Sequence, residues 1–221
     1  MIYVYAFCLT PPSHRTLPQG IAAMTQWVVE SAVAAIVEPD LDVTPLKDDD
    51  QLLMTAVLSH DRVLCDAFAE ATLLPLRFGT QFTDEASLRA HLRQHQQTYR
   101  QRLEALHDKA EYLLKLTPMP WVDEPLSGDL RGRDYFLAKK ERLQRQSAWV
   151  EQRQRQLEAL VAHWQASGVG VVESPAHEGQ LRFHVLGDRD SDVDLKQACQ
   201  AIAPAWHSEC SLPLPPYHFA T

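Results

Sequence analysis

Apolar and polar positions along this chain change their period several times. Residues 2–9 (IYVYAFCL) are mostly β-branched and aromatic and predict a strand. PPSHRTLPQG (11–20) carries the Pro and Gly content of a loop. WVVE (27–30) and AVAAIV (32–37) predict two short strands separated by a turn, the second ended by Pro39. Residues 40–48 are polar. Leu52, Leu53, Ala56, Val57, Val63, Leu64, Ala67 and Phe68 then recur at helical spacing. Asp48, Asp49 and Asp50 stand at the start of that helix, where carboxylates suit the positive end of its dipole. LLPLRFGTQF (73–82) is a short apolar strand or turn. Thr83 or Asp84 can cap a helix reaching about Leu106, with Leu88, Leu92, Tyr99 and Leu103 on one side.

The second half has a plainer pattern. EYLLKL (111–116) predicts a strand and TPMPWVDEPLSG a proline-rich loop. From about Asp129 to Gln165 there is no Pro, and the only Gly is Gly132, which predicts one helix about 50 Å long at ~1.5 Å per residue. VGVVES (169–174) and LRFHVLG (181–187) predict strands. A helix over 192–203, capped by Asp190 or Ser191, and a strand over WHSECSL (206–212) follow. The order is β-α-β-β-α-β, the ferredoxin-like plan. The first half holds a looser version of that plan, but its first crossover helix is missing unless 16–26 supplies it.

Along the long helix, Phe136, Leu143, Val150, Leu157 and Trp164 fall seven apart, as in a heptad seam. The companion positions Lys140, Ser147 and Gln154 are polar and only Val161 is apolar, so half of a coiled-coil pattern is present. Two outcomes fit: a helix packed on its own sheet and on helix 84–106, or one that docks a partner. KKERLQRQSAWVEQRQR (139–155) is locally basic.

Composition narrows the function classes. A chain of 221 residues with 45% hydrophobic positions supports one large or two small cores. A net charge of -8 argues against nucleic acid or an anionic membrane as main partner. No stretch approaches the ~20 apolar residues of a membrane span. The start lacks a basic n-region and reads as a strand, so the expectation is a cytoplasmic protein. Cys8, Cys65, Cys199 and Cys210 show no CxxC spacing and are expected to be reduced thiols.

Catalytic and metal patterns are weak. His91 and His95 stand at i, i+4, a spacing that can bind zinc, but with no HExxH glutamate or third ligand in reach. His60–Asp61 has no nucleophile elbow to serve. Neither GxxxxGK[ST] nor GxGxxG occurs. The reading is therefore of a binding protein, not an enzyme, with no cofactor and no small-molecule substrate.

IYVYAF (2–7), AAIVE (34–38), HDRVL (60–64), LLPLRFGTQF (73–82), EYLLK (111–115), GRDYFLAKK (132–140) and PPYHF (215–219) together resemble the GvpF/GvpL proteins of gas vesicle gene clusters. LPLRFGT with GRDYFLAKK downstream is the most specific part. SLPL (211–214) departs from the Gly-Pro-Trp that often precedes Pro-Pro-Tyr in that family. The resemblance implies two ferredoxin-like α+β domains, no enzymatic activity, and a part in vesicle assembly. It also implies contact with the major shell protein GvpA and other vesicle proteins.

The expected organisation is an N-terminal α/β domain (1–82), a connecting helix (83–108), a ferredoxin-like domain (109–212) and an extended tail (213–221). Arg77 and Phe78, Tyr135, and Tyr217 and Phe219 are the candidates for partner contact or for the domain junction. For Arg77, a structural role through buried carbonyls is the competing expectation. The tail, rich in proline, is expected to be polyproline-like, either a strap or a docking segment. Two rival functions stay open: a ligand-binding regulator of ferredoxin-like fold, and a metal-dependent hydrolase using His60, His91 or His95.

Overall fold

The computed structural model describes residues 1–10, 17–123 and 131–220. The PPSHRT part of the first loop, the EPLSG part of the second and the expected helix start at Asp129 lie outside them. The chain forms two compact units, one from Met1–Glu111 with Pro213–Thr221, the other from Tyr112–Leu212.

The first unit has strands β1 (Ile2–Leu9), β2 (Gln26–Glu30) and β3 (Val33–Pro39), then helix α1 (Asp50–Glu70), strands β4 (Leu73–Pro75) and β5 (Gln81–Phe82), and helix α2 (Glu85–Ala105). The sheet order is β2-β3-β1-β4, with β5 also on β1. β1 is antiparallel to β3, β4 and β5. It is buried along almost its whole length because both faces are covered. The register against β3 slips between Val4 and Ala6. Such a bulge breaks the strict alternation of side chains. Tyr3 and Tyr5 accordingly meet His60 on α1, whereas Phe7 meets Tyr99 and His91 on α2.

Local chemistry sets the helix starts. Asp49 Oδ1 accepts from the amides of Gln51 and Leu52 and caps α1. Asp84 caps α2 in a reciprocal box with Ser87. The strands and the 50–69 helix of the looser plan expected of the first half are present, but the first crossover helix that 16–26 could have supplied is not formed by 17–25. Among the described residues, 17–25 carry no helix but a loop closed by a Gln19–Met24 bridge. Pro18 and Gly20 disfavour a helix there, and the loop's amides are used elsewhere.

The second unit runs β6 (Lys109–Pro118, continuous with the first unit at its start), α3 (Gly132–Ala166), β7 (Gly170–His177), β8 (Gln180–Asp188), α4 (Asp192–Gln200) and β9 (Trp206–Cys210). Its sheet order is β7-β8-β6-β9. Tyr112, Leu114 and Leu116 are buried and alternate with half-buried Leu113, Lys115 and Thr117. The core adds Phe183 and Val185 of β8 and Leu157, Leu160 and Trp164 of α3. Lys115 lies opposite Glu209 in register, 3.9 Å away.

Helix α3 is covered unevenly. Leu157 and Trp164 of the heptad series are buried, but Phe136 is 71% exposed, and Leu143 and Val150 are exposed too. Between them, Trp149 packs on Trp121 at 5.5 Å and Arg142 pairs with Asp123 at 2.6 Å.

The tail also departs from expectation. Leu214 and Glu111 exchange backbone hydrogen bonds, but Tyr217–Phe219 then form a turn instead of continuing extended. The turn brings Tyr217 to Asp61 and His218 to Glu111, which a straight polyproline segment would not do.

Candidate functional site

Three consecutive residues of α1 staple the first unit together. His60 is buried between β1 and the loop after β4. Its Nε2 lies 3.1 Å from the Leu76 carbonyl, which can only accept, so Nε2 carries the proton. Nδ1 is then an acceptor and takes the Tyr3 hydroxyl at 2.7 Å. The Tyr3 oxygen in turn accepts from the Gly79 amide at 3.3 Å. Burial pushes the imidazole pKa below its ordinary value. It also pushes the Tyr3 phenol well up, which keeps that donor protonated. The Tyr5 ring stacks on His60 at 5.2 Å and Phe78 meets it edge-on. Asp61 accepts from Tyr217 at 2.5 Å. Arg62 donates to the Gln19 carbonyl at 2.7 Å.

A second network holds the loop before β2. Glu38, 1% exposed, ends β3 with its carboxylate inside the unit. Oε1 accepts from Ala22 and Ala23 amides at 2.8 and 2.6 Å; Oε2 accepts from Ile21 at 2.7 Å and from the Tyr5 hydroxyl at 2.5 Å. Four donors offset the cost of a buried carboxylate. The approach is close enough that a Cβ on Gly20 would lie 2.1 Å from Glu38 Oε2, so glycine is required there. Nothing in the sequence pattern singled Glu38 out, because its donors are mostly backbone amides. One sign was available: a lone carboxylate ending the apolar run AAIVEP.

The predicted candidates fall in different places. Leu76–Thr80 forms a tight turn, with Gly79 at φ 88 and Thr80 bonded through amide and hydroxyl to the Arg77 carbonyl. Arg77 itself is exposed, and among the described residues no carbonyl or carboxylate takes its guanidinium. Phe78 is half-buried against Tyr3 and His60. Tyr217 and Phe219 are half-buried in the tail turn. Tyr135 is exposed near the start of α3, in edge contact with Phe136. The first unit thus gathers Arg77, Phe78, Tyr217 and Phe219; Tyr135 belongs to the second.

The histidines raised as catalytic or metal candidates are engaged otherwise. Both ring nitrogens of His60 are hydrogen-bonded. His91 shares a 2.6 Å hydrogen bond with Tyr99 and packs on Phe7 and Phe82. Its pKa is lowered by burial and by His95, whose ring is 4.5 Å away. The four cysteines are free thiols; burial pushes Cys65 and Cys199 up to about 11, which keeps them unreactive.

A profile of the family described as gas vesicle synthesis protein GvpL/GvpF matches residues 1–221. The chain belongs to that family. Gas vesicle protein F of Streptomyces sp. (strain CB03234) is 29% identical over a 246-residue alignment, covering 97% of this chain and 98% of that one. Crystal structures of GvpF from Microcystis aeruginosa and Anabaena sp. PCC7120 share the fold, with TM-scores of 0.70 and 0.68 at 16% and 17% identity. Both alignments cover 100% of this chain, and 98% and 95% of the respective neighbours.

GvpL/GvpF membership ties the chain to gas vesicles and to the company of other gas vesicle proteins. It also gives the networks a context. IYVYAF, AAIVE, HDRVL and LPLRFGT, the segments that carried the resemblance, supply Tyr3, Tyr5, Glu38, His60 and the 76–80 turn. PPYHF and EYLLK supply the Tyr217, His218 and Glu111 contacts. Among the described residues, no helix is long and apolar enough to cross a membrane.

Proposed function

We propose that this protein is an accessory or minor structural component of gas vesicle assembly, acting in the cytoplasm by binding GvpA and other vesicle proteins. The reading includes no enzymatic activity and no cofactor. Its architecture fits a ferredoxin-like second unit, whose β-α-β-β-α-β order and β7-β8-β6-β9 sheet support that label. The first unit would be a variant without the first crossover helix.

The 76–80 turn is the observation that carries the binding proposal. Its backbone is pinned from within by His60, Tyr3 and Thr80, yet it turns Arg77 outward without a partner among the described residues. A loop held this rigidly loses little entropy when it docks, which favours a recognition role over a packing one. Phe78, half-buried beneath it, and Tyr217 and Phe219 in the tail turn are the other proposed contacts.

Capture of purified GvpA by the full chain tests the proposal. Arg77→Glu should keep the wild-type melting temperature and reduce GvpA capture by at least about ten-fold. Capture undiminished in Arg77→Glu would remove the turn as the contact. Absence of capture by the wild type would remove GvpA as the partner.

A further inference from the structure

Two exposed helix faces of this chain are complementary in charge and alike in apolar content. On α1, Asp50, Met54, Val57 and Leu58 fall at i, i+4, i+7 and i+8, one face of a helix. Met54 is 60% and Leu58 61% exposed. This face follows an acidic stretch: residues 40–58 hold five Asp against Lys47 alone, a net charge of -4. On α3, Phe136, Lys139, Lys140 and Leu143 line one open trough of about 690 Å³. Segment 131–146 holds six Arg and Lys against Asp134 and Glu141, a net charge of +4 on a chain of net -8.

Exposed apolar side chains in rows on two helices exceed the scattered ones of an ordinary surface. Among the described residues, neither face is covered within its own chain. Like-with-like pairing would bring two basic or two acidic segments together across an apolar seam, which opposes association. Pairing α1 with α3 opposes the charges and buries both stripes.

We propose that the occupant of each face is a second copy of this chain: the basic, apolar N-terminal half of α3 in one copy docks on the apolar N-terminal half of α1, and on the acidic stretch leading into it, in another. The contact joins two different surfaces, so each copy offers two docking faces, and association can close as a reciprocal pair or extend into rings and chains of copies. The proposal is independent of GvpA binding, since it uses neither the 76–80 turn nor the tail turn.

Sedimentation velocity of the purified full chain, from about 1 to about 200 µM, tests it. The wild type should associate with rising concentration at about 50 mM NaCl and less at about 500 mM, because screening weakens the charge term. Leu58→Lys spoils the α1 face and Leu143→Asp the α3 face. Both positions are exposed, so the melting temperatures should stay unchanged. Each variant alone should lose association by at least about ten-fold. An equimolar mixture should recover a one-to-one pair, since each variant supplies the face the other lacks. That recovery also excludes misfolding as the cause of the loss. A wild type that stays monomeric throughout would overturn the proposal, and so would variants that associate normally or a mixture that recovers nothing.

Discussion

Glu38 and His60 do opposite electrostatic work in the same unit. Glu38 is a buried carboxylate surrounded by donors, and its removal leaves the Ala22 and Ala23 amides and the Tyr5 hydroxyl without their acceptor, while the Ile21 amide keeps only the Tyr5 oxygen. Glu38→Ala should lower the unfolding free energy by about 3 kcal/mol or more, measured by urea denaturation. His60 is held neutral, with its pKa below the value it has in the unfolded chain. Protonation therefore favours unfolding. Its contribution is fully present above about pH 6.5 and is lost as the pH falls below that value towards the folded pKa. His91, also lowered, adds a loss of the same sign. The part due to His60 is the difference between wild type and His60→Gln. The variant should be less stable at pH 7, and its urea midpoint should fall less between pH 7 and pH 5. Parallel curves would show that His60 is not the titrating group.

At the scale of elements, the heptad series of α3 mixes two environments. Trp164 sits in the core against Phe183, whereas Phe136 is open to solvent. Trp164→Ala should cost about 3–5 kcal/mol, and Phe136→Ala less than about 0.5 kcal/mol, by chemical denaturation of each variant. The seam itself was legible in the sequence, because spacing along a helix depends only on the helix. Which half of it is covered was not, because that depends on the reach of the β7-β8-β6-β9 sheet. Strand β1 shows the same division. Its composition announced a strand, but the bulge that sends Phe7 to α2 arises from pairing with β3, which no local pattern in 2–9 encodes. His60 was conspicuous as a histidine beside an aspartate, but only the fold shows both of its nitrogens occupied. Arg77 was found through its neighbours in LPLRFGT; its exposure came from the turn, not the motif.

At the scale of the molecule, the first unit is built from two separated stretches of chain. Residues 213–221 return to it and supply Tyr217 to Asp61 and His218 to Glu111. Proline-rich composition suggested an extended segment, and the aromatic and histidine contacts that fold it into a turn are long-range. Removing 213–221 takes two donors from Glu111, which is 1% exposed. Hydrogen exchange should then speed up in α1 and at the start of β6, while amides in β8 keep their protection. Uniform loss of protection across both units would contradict this division.

That interleaving has a consequence for the order of events on the ribosome. The first 111 residues leave the exit tunnel with a sheet and two helices but without Tyr217 and His218. The 101 residues of the second unit must be made before those side chains exist, about 5–20 s at ~5–20 residues per second. During that interval Glu111 lacks its histidine and Asp61 its tyrosine, so the nascent first unit waits, incomplete, for a stretch not yet translated.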